Sequence, residues 1–161
     1  MVEPGSIFRK RRLTPGQLRA VAAYRYGDST CLLESKDSAR ATGAMYMGGF
    51  VIECLLKALL LERHPNLQSP VDPALLSRTD RGAYALLFSH ELDLILDDLP
   101  EVTRKLRRLN DAEGKPLLPR FRTVCEQWTV YVRYSPKLAK REQAERFVRT
   151  IGEVKEWLKT L

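Results

Sequence analysis

Glu53 and Lys57 stand four residues apart inside GAMYMGGFVIECLLKALLL, residues 43–61, a run that is otherwise apolar on almost every face. Glutamate preceding lysine at this spacing is the favoured order for an ion pair on a helix. Two readings are open: the pair satisfies itself beside a core, or it lines a polar pocket between helices. Tyr46, Gly49, Leu60 and His64 fall on the same helical stripe. His90, followed by Glu91 and Asp93, reads as a capping or surface residue at a helix start, or as an acid or base. The latter role needs a reacting proton within about 3 Å. Arg133, beside Tyr134, either compensates a helix carboxyl end or pairs with Glu53, or clamps a phosphate with its planar fork.

These groups need helices to position them. A helix hydrophobic all round belongs in the middle of a bundle or in a membrane. A mid-helix glutamate and lysine would each cost roughly 2.5–3.5 kcal/mol at a bilayer centre, so residues 37–63 are expected to form a soluble core helix. Gly48 and Gly49 weaken it by about 1 kcal/mol each, which implies close approach of a neighbouring backbone. Thr14, Pro15 and Gln17 carry a helix start, and a first helix is expected to about residue 36, bent at Gly27, with Leu18, Val21, Ala22, Cys31, Leu32 and Leu33 inward. Residues 65–80 read as a long loop and 83–88 as a short helical turn. Ser89 is expected to cap a helix carrying Leu92, Leu94, Ile95, Leu96 and Leu99, and helical chain continues past Pro100 to Leu109.

Residues 118–134 are expected as one helix burying Phe121, Val124, Cys125, Trp128, Tyr131 and Val132. The last helix, about 136–161, carries Ala144, Phe147, Val148, Ile151, Val154, Trp157 and Leu158 on one face. The expected fold is therefore all-α, an antiparallel up-and-down four-helix bundle with one or two additional short helices. Residues 1–13, with the basic FRKRR, are expected to be a mobile arm, and 14–161 a single domain. No secretory signal is recognisable, so the expected location is cytoplasmic, without a membrane span.

Twenty-seven basic residues against 20 acidic ones give a formal charge of +7, which favours polyanionic partners such as nucleic acid. The excess concentrates in residues 102–122, where Arg104, Lys105, Arg107, Arg108, Lys115, Arg120 and Arg122 face only Asp111 and Glu113. This is a solvated face or a phosphate-attracting patch. Cys31, Cys54 and Cys125 are an odd number in apolar surroundings with no C-x-x-C, which reads as buried thiols rather than a disulfide framework or a zinc site. No metal or other cofactor is expected.

Three patterns, AMYMGGFVIECLLKALL at 44–60, SHELDLIL at 89–96 and W-x-x-x-x-R-Y at 128–134, together resemble the HEPN family of small helical domains. The resemblance spans about residues 15–160, and its most specific part is Gly49, Phe50, Glu53, Leu56 and Lys57. It implies a dimeric four-helix bundle with a polar cleft at Glu53, Lys57, His90, Arg133 and Tyr134, binding RNA or nucleotides. Many such proteins are metal-independent endoribonucleases, some in toxin–antitoxin pairs, that use an R-x(4–6)-H motif. Here the nearest arginine before His90 is Arg81, separated by eight residues, so the motif is absent and a non-catalytic or weakly active module is expected. The alternatives are a divergent endoribonuclease using His90 and Arg133, and a protein that pairs with a minimal nucleotidyltransferase.

Overall fold

The computed structural model describes residues 13–35, 37–68, 72–135 and 139–159. The expected basic arm, apart from Leu13, lies outside them. Seven α-helices occur among these residues: α1 Pro15–Glu34, α2 Arg40–Arg63, α3 Arg78–Phe88, α4 Leu92–Asp97, α5 Pro100–Leu106, α6 Leu117–Gln127 and α7 Arg141–Leu158. No strand is present among the described residues, and Asn110 and Pro116 form an isolated bridge.

α2 is the centre. Every residue from Val51 to Leu61 is buried, Glu53 and Lys57 included. The helix is long and apolar enough to cross a membrane by length and composition, but 72% of its most apolar stretch is covered within the fold. α1, α7, α4, the 3₁₀ segment Val130–Tyr134 and, less extensively, α3 provide the cover.

Contacts between named residues fix the helix directions. Arg19 pairs with Glu62 at 2.9 Å, and Ser29 Oγ donates to the Ala44 carbonyl at 2.7 Å, so α1 and α2 are antiparallel. Arg141 donates to the Leu33 and Ser35 carbonyls at 2.9 Å, while Arg19 donates to the Leu158 carbonyl, which sets α7 antiparallel to α1. α1 continues unbroken through Gly27, and its Thr14–Gln17 capping box forms as the sequence implies. Val21 and Cys31 point outward, because the buried line on α1 follows Leu18, Ala22 and Ser29.

Several boundaries differ from expectation. The stretch read as a loop contains two 3₁₀ segments, Pro65–Gln68 and Pro73–Leu75, and then α3, which starts at Arg78 because the Ser77 hydroxyl accepts from the Asp80 N–H. Ser89 does not cap α4. It ends α3, and its hydroxyl accepts from the Glu91 N–H across the link, which leaves His90 in the link and Leu94 partly exposed.

The expected helix over 118–134 is two elements. α6 stops at Gln127, Trp128 and Thr129 are extended, and Thr129 Oγ1 caps the 3₁₀ segment by accepting from the Tyr131 N–H. The break turns the Trp128 indole onto α2, where Nε1 donates to the Tyr46 carbonyl at 3.2 Å. It also turns Tyr131 out, at 72% exposure. The last helix starts at Arg141, with 136–138 and 160–161 outside the described residues. Its expected face is buried, with Trp157 packed partly covered against the core.

Gly49 makes the Trp128 contact possible: a Cβ there would lie 1.8 Å from the indole nitrogen. Gly49→Ala is expected to displace the indole and destabilise the protein by about 1–3 kcal/mol. A Cβ at Gly27 meets nothing, so Gly27→Ala is expected to stabilise by about 0.5–1 kcal/mol. Urea unfolding of both variants checks the pair, and equal stabilities would remove the steric account.

Candidate functional site

α2 delivers Glu53 and Lys57 to one position near its middle, and the α3–α4 link delivers His90. Lys57 Nζ donates to Glu53 Oε1 at 2.7 Å, with both side chains only 7% exposed. His90 Nδ1 lies 3.1 Å from each Glu53 oxygen, so a proton on Nδ1 bridges the ring to the carboxylate. Glu53 therefore receives two donors, which is what a buried carboxylate requires. His90 remains 48% exposed, and its Nε2 has no protein partner among the described residues.

His90 opens onto a cleft of about 430 Å³ between the α3–α4 link and the Trp128–Tyr131 turn. Glu91, Asp93 and Glu126 line it together with Trp128 and Tyr131. Three carboxylates and one imidazole make this an acidic cleft. Cys125 also faces it, but burial, reinforced by Asp93, pushes its thiol well above the usual range, so it is no thiolate nucleophile. Cys54, buried beside Glu53, is likewise pushed up to about 11 by burial, whereas Cys31 is exposed and departs from the expected set of buried thiols.

The candidate cleft residues are thus only partly united. Glu53, Lys57 and His90 touch. Lys57 is buried beside Glu53, its ion-pair partner. Tyr134 lies in the 3₁₀ segment that packs on α2, with its ring 70% exposed. The Arg133 side chain lies outside the described residues.

The basic patch divides in the same way. Arg104, Lys105, Arg107 and Arg108 are exposed on and just after α5, with no acidic partner among the described residues. Arg104 and Arg107 border a groove of about 280 Å³ with Thr103 and Arg122, the last paired to Asp97 at 3.1 Å. Arg120 leaves the patch: its guanidinium turns inward, pairing with the buried Asp111 carboxylate and donating to Thr150 Oγ1 at 2.8 Å.

A second histidine site went unread in the sequence beyond its place on the α2 stripe. His64, 6% exposed at the end of α2, sets Nδ1 2.8 Å from Asp80 Oδ1 and Nε2 3.6 Å from Asp98 Oδ2. It ties α2 to the start of α3 and the end of α4. The only available signal was a lone histidine closing an apolar helix. Among the described residues no cluster of three metal-ligating side chains occurs.

No family model, curated protein or solved structure matches this chain. The site therefore rests on its own geometry.

Hydrogen bonds from His64, and then from Asn66 and Ser77, hold the Asp80 carboxyl below its usual value. Burial would raise Asp111, but the Lys115 N–H, Arg120 and the Glu113 N–H outweigh it and lower that carboxyl too. Both carboxyls bind protons less readily folded than unfolded. The stability they lend is complete above the ordinary aspartate value, about pH 4, and is lost as pH falls through the lower folded values. Asp80→Asn is expected to flatten the acid limb of a plot of urea midpoint against pH. A limb as steep as that of the parent chain would rule out the His64–Asp80 contact as its source.

Proposed function

We propose that this chain is a HEPN-like helical module that binds RNA or nucleotide phosphates, without the ribonuclease chemistry of the R-x(4–6)-H proteins. The observation that carries this reading is the set of exposed basic side chains on and just after α5, Arg104, Lys105, Arg107 and Arg108, which have no acidic partner among the described residues and border a groove where Asp97 is paired with Arg122. Unpaired arginines are suited to bidentate phosphate contact. In this reading the polyanion meets α5 rather than Lys57, because the carboxylates that line the His90 cleft would repel phosphate.

The helix directions support the finer reading of the fold. α1 runs against α2, and the Arg120–Thr150 contact with the facing of Gln127 and Gln143 sets α6 against α7. We read α1, α2, α6 and α7 as an up-and-down four-helix bundle, with α3, α4 and α5 as the insertion. A homodimer follows from the resemblance alone, since the apolar faces of α2 that invited one are covered within the chain.

One observation favours the enzyme reading. His90 is held by a buried carboxylate at Nδ1 and is open at Nε2, the arrangement of an oriented acid–base histidine. In that reading His90 moves the proton of a ribose 2′-hydroxyl and Arg133 stabilises the phosphorane-like transition state.

Fluorescence anisotropy with a single-stranded RNA at rising salt is expected to show affinity falling with salt. The Arg104→Glu/Arg107→Glu double variant is expected to bind more weakly and to lower the slope of log affinity against log salt by roughly 1–2. Unchanged affinity removes α5 from the interface. RNA cleavage by the metal-free protein that disappears in His90→Ala would replace the module reading with the ribonuclease. Neither binding nor cleavage would point to a protein partner such as a minimal nucleotidyltransferase.

A further inference from the structure

α6 and α7 enclose a groove of about 340 Å³ that is separate from both the His90 cleft and the α5 surface. Its walls come from residues at helical spacing on the two facing helices. Arg120, Thr123 and Gln127 line it from α6, and Gln143, Arg146 and Thr150 from α7. The floor is apolar, made by Met45 of α2, Val124 and the Phe147 ring. Among the described residues no carboxylate lines it.

Arg120 is built into this wall. The Asp111 carboxylate that pairs with it is buried and is itself held by the Glu113 and Lys115 N–H groups, each at 2.8 Å. Glu153 Oε2, buried without a hydrogen-bond partner, lies 3.7 Å from the same guanidinium nitrogen. On the other side Arg120 donates to Thr150 Oγ1, which donates to the Arg146 carbonyl. Arg120 thus carries its counter-charge behind the groove and is fixed in orientation. Arg146 is exposed and has no acidic partner among the described residues, so it is the uncompensated cation.

The two ends differ. Arg120 and Thr150 mark one end, Gln127 and Gln143 the other, and seven residues of helix separate Arg120 from Gln127, about 10 Å. A cleft of this volume sits at the lower end of the range for small-molecule sites, roughly 300–1,000 Å³. Its chemistry asks for an anionic group held by the guanidinium groups, a flat body over Phe147 and Met45, and a polar edge for the two amides.

We propose that the α6–α7 groove binds a small aromatic anion, a carboxylate or phosphate carried on a planar ring. This site is independent of the α5 surface and stands whether or not the chain binds RNA.

Nuclear magnetic resonance titration of the full chain with benzoate, phenyl phosphate, inorganic phosphate and benzamidine tests it. Benzoate or phenyl phosphate is expected to shift the side-chain amide signals of Gln127 and Gln143, and whichever binds more tightly identifies a carboxylate or a phosphate ligand. Benzamidine, the cation of matching shape, is expected to leave them in place, as is inorganic phosphate. In Arg146→Glu the anion affinity is expected to fall roughly tenfold or more, the loss of one charge-assisted contact. Arg149→Glu, at a residue that faces Glu113, is expected to bind as the parent chain does, and so is Arg104→Glu/Arg107→Glu. Equal shifts with benzamidine, equal shifts with inorganic phosphate, or unchanged affinity in Arg146→Glu would each overturn the proposal. Matching thermal melts of the variants establish that they fold.

Discussion

A lysine and a glutamate in the buried stretch of α2, residues 51–61, constrain everything around them. Removing one member of such a pair costs about 3–5 kcal/mol, because the other is left charged and out of water. Glu53 and Lys57 meet that demand first with each other, at 2.7 Å. The carboxylate still has lone pairs to satisfy, and His90 satisfies them from outside the helix. The polar requirement of the core thereby draws the α3–α4 link onto α2 and places one imidazole at the surface. The cleft beside His90 is a consequence of how the core hides its charges.

Charge then separates the surface into unlike regions. Glu91, Asp93 and Glu126 surround the His90 cleft, while Arg104, Lys105, Arg107 and Arg108 on and after α5 have no acidic partner among the described residues. Arg120 shows that sequence position does not decide which region a charge serves. It belongs by number to the basic run of 102–122, yet Asp111 turns it inward. The result is a fixed arginine between α6 and α7, backed by a carboxylate, where a mobile surface charge was expected.

What could be read along the chain was what depends on near neighbours. The Glu53–Lys57 pair, the Thr14–Gln17 capping box and the apolar face of α7 are all set within one or two helical turns, and all are present. The break after Gln127 was hidden, because nothing in VCEQWTVYVRY forbids a helix. The chain leaves the helix because the Trp128 indole finds Gly49 and the Tyr46 carbonyl on α2. The placement of His90 was hidden for a related reason: Ser89 is a plausible start for α4 but is used to end α3. The α6–α7 groove left a faint trace, polar residues at helical spacing alternating with buried Val124 and Phe147, which reads equally well as an ordinary solvated edge.

The Trp128 contact also bears on the order in which the molecule assembles. Its hydrogen bond to Tyr46 joins residues 82 apart in the chain, whereas Ser29 and Ala44, which seal α1 against α2, are 15 apart. Closing the longer loop costs more entropy, and contacts of large separation tend to form slowly. The α1–α2 hairpin is thus the natural early unit, a helical pair with the Gly48–Gly49 surface of α2 still bare. Docking of Trp128 covers Gly49, as Phe147 of α7 covers Gly48, and in the same movement builds one wall of the His90 cleft, which makes the cleft a product of long-range docking onto a hairpin already formed.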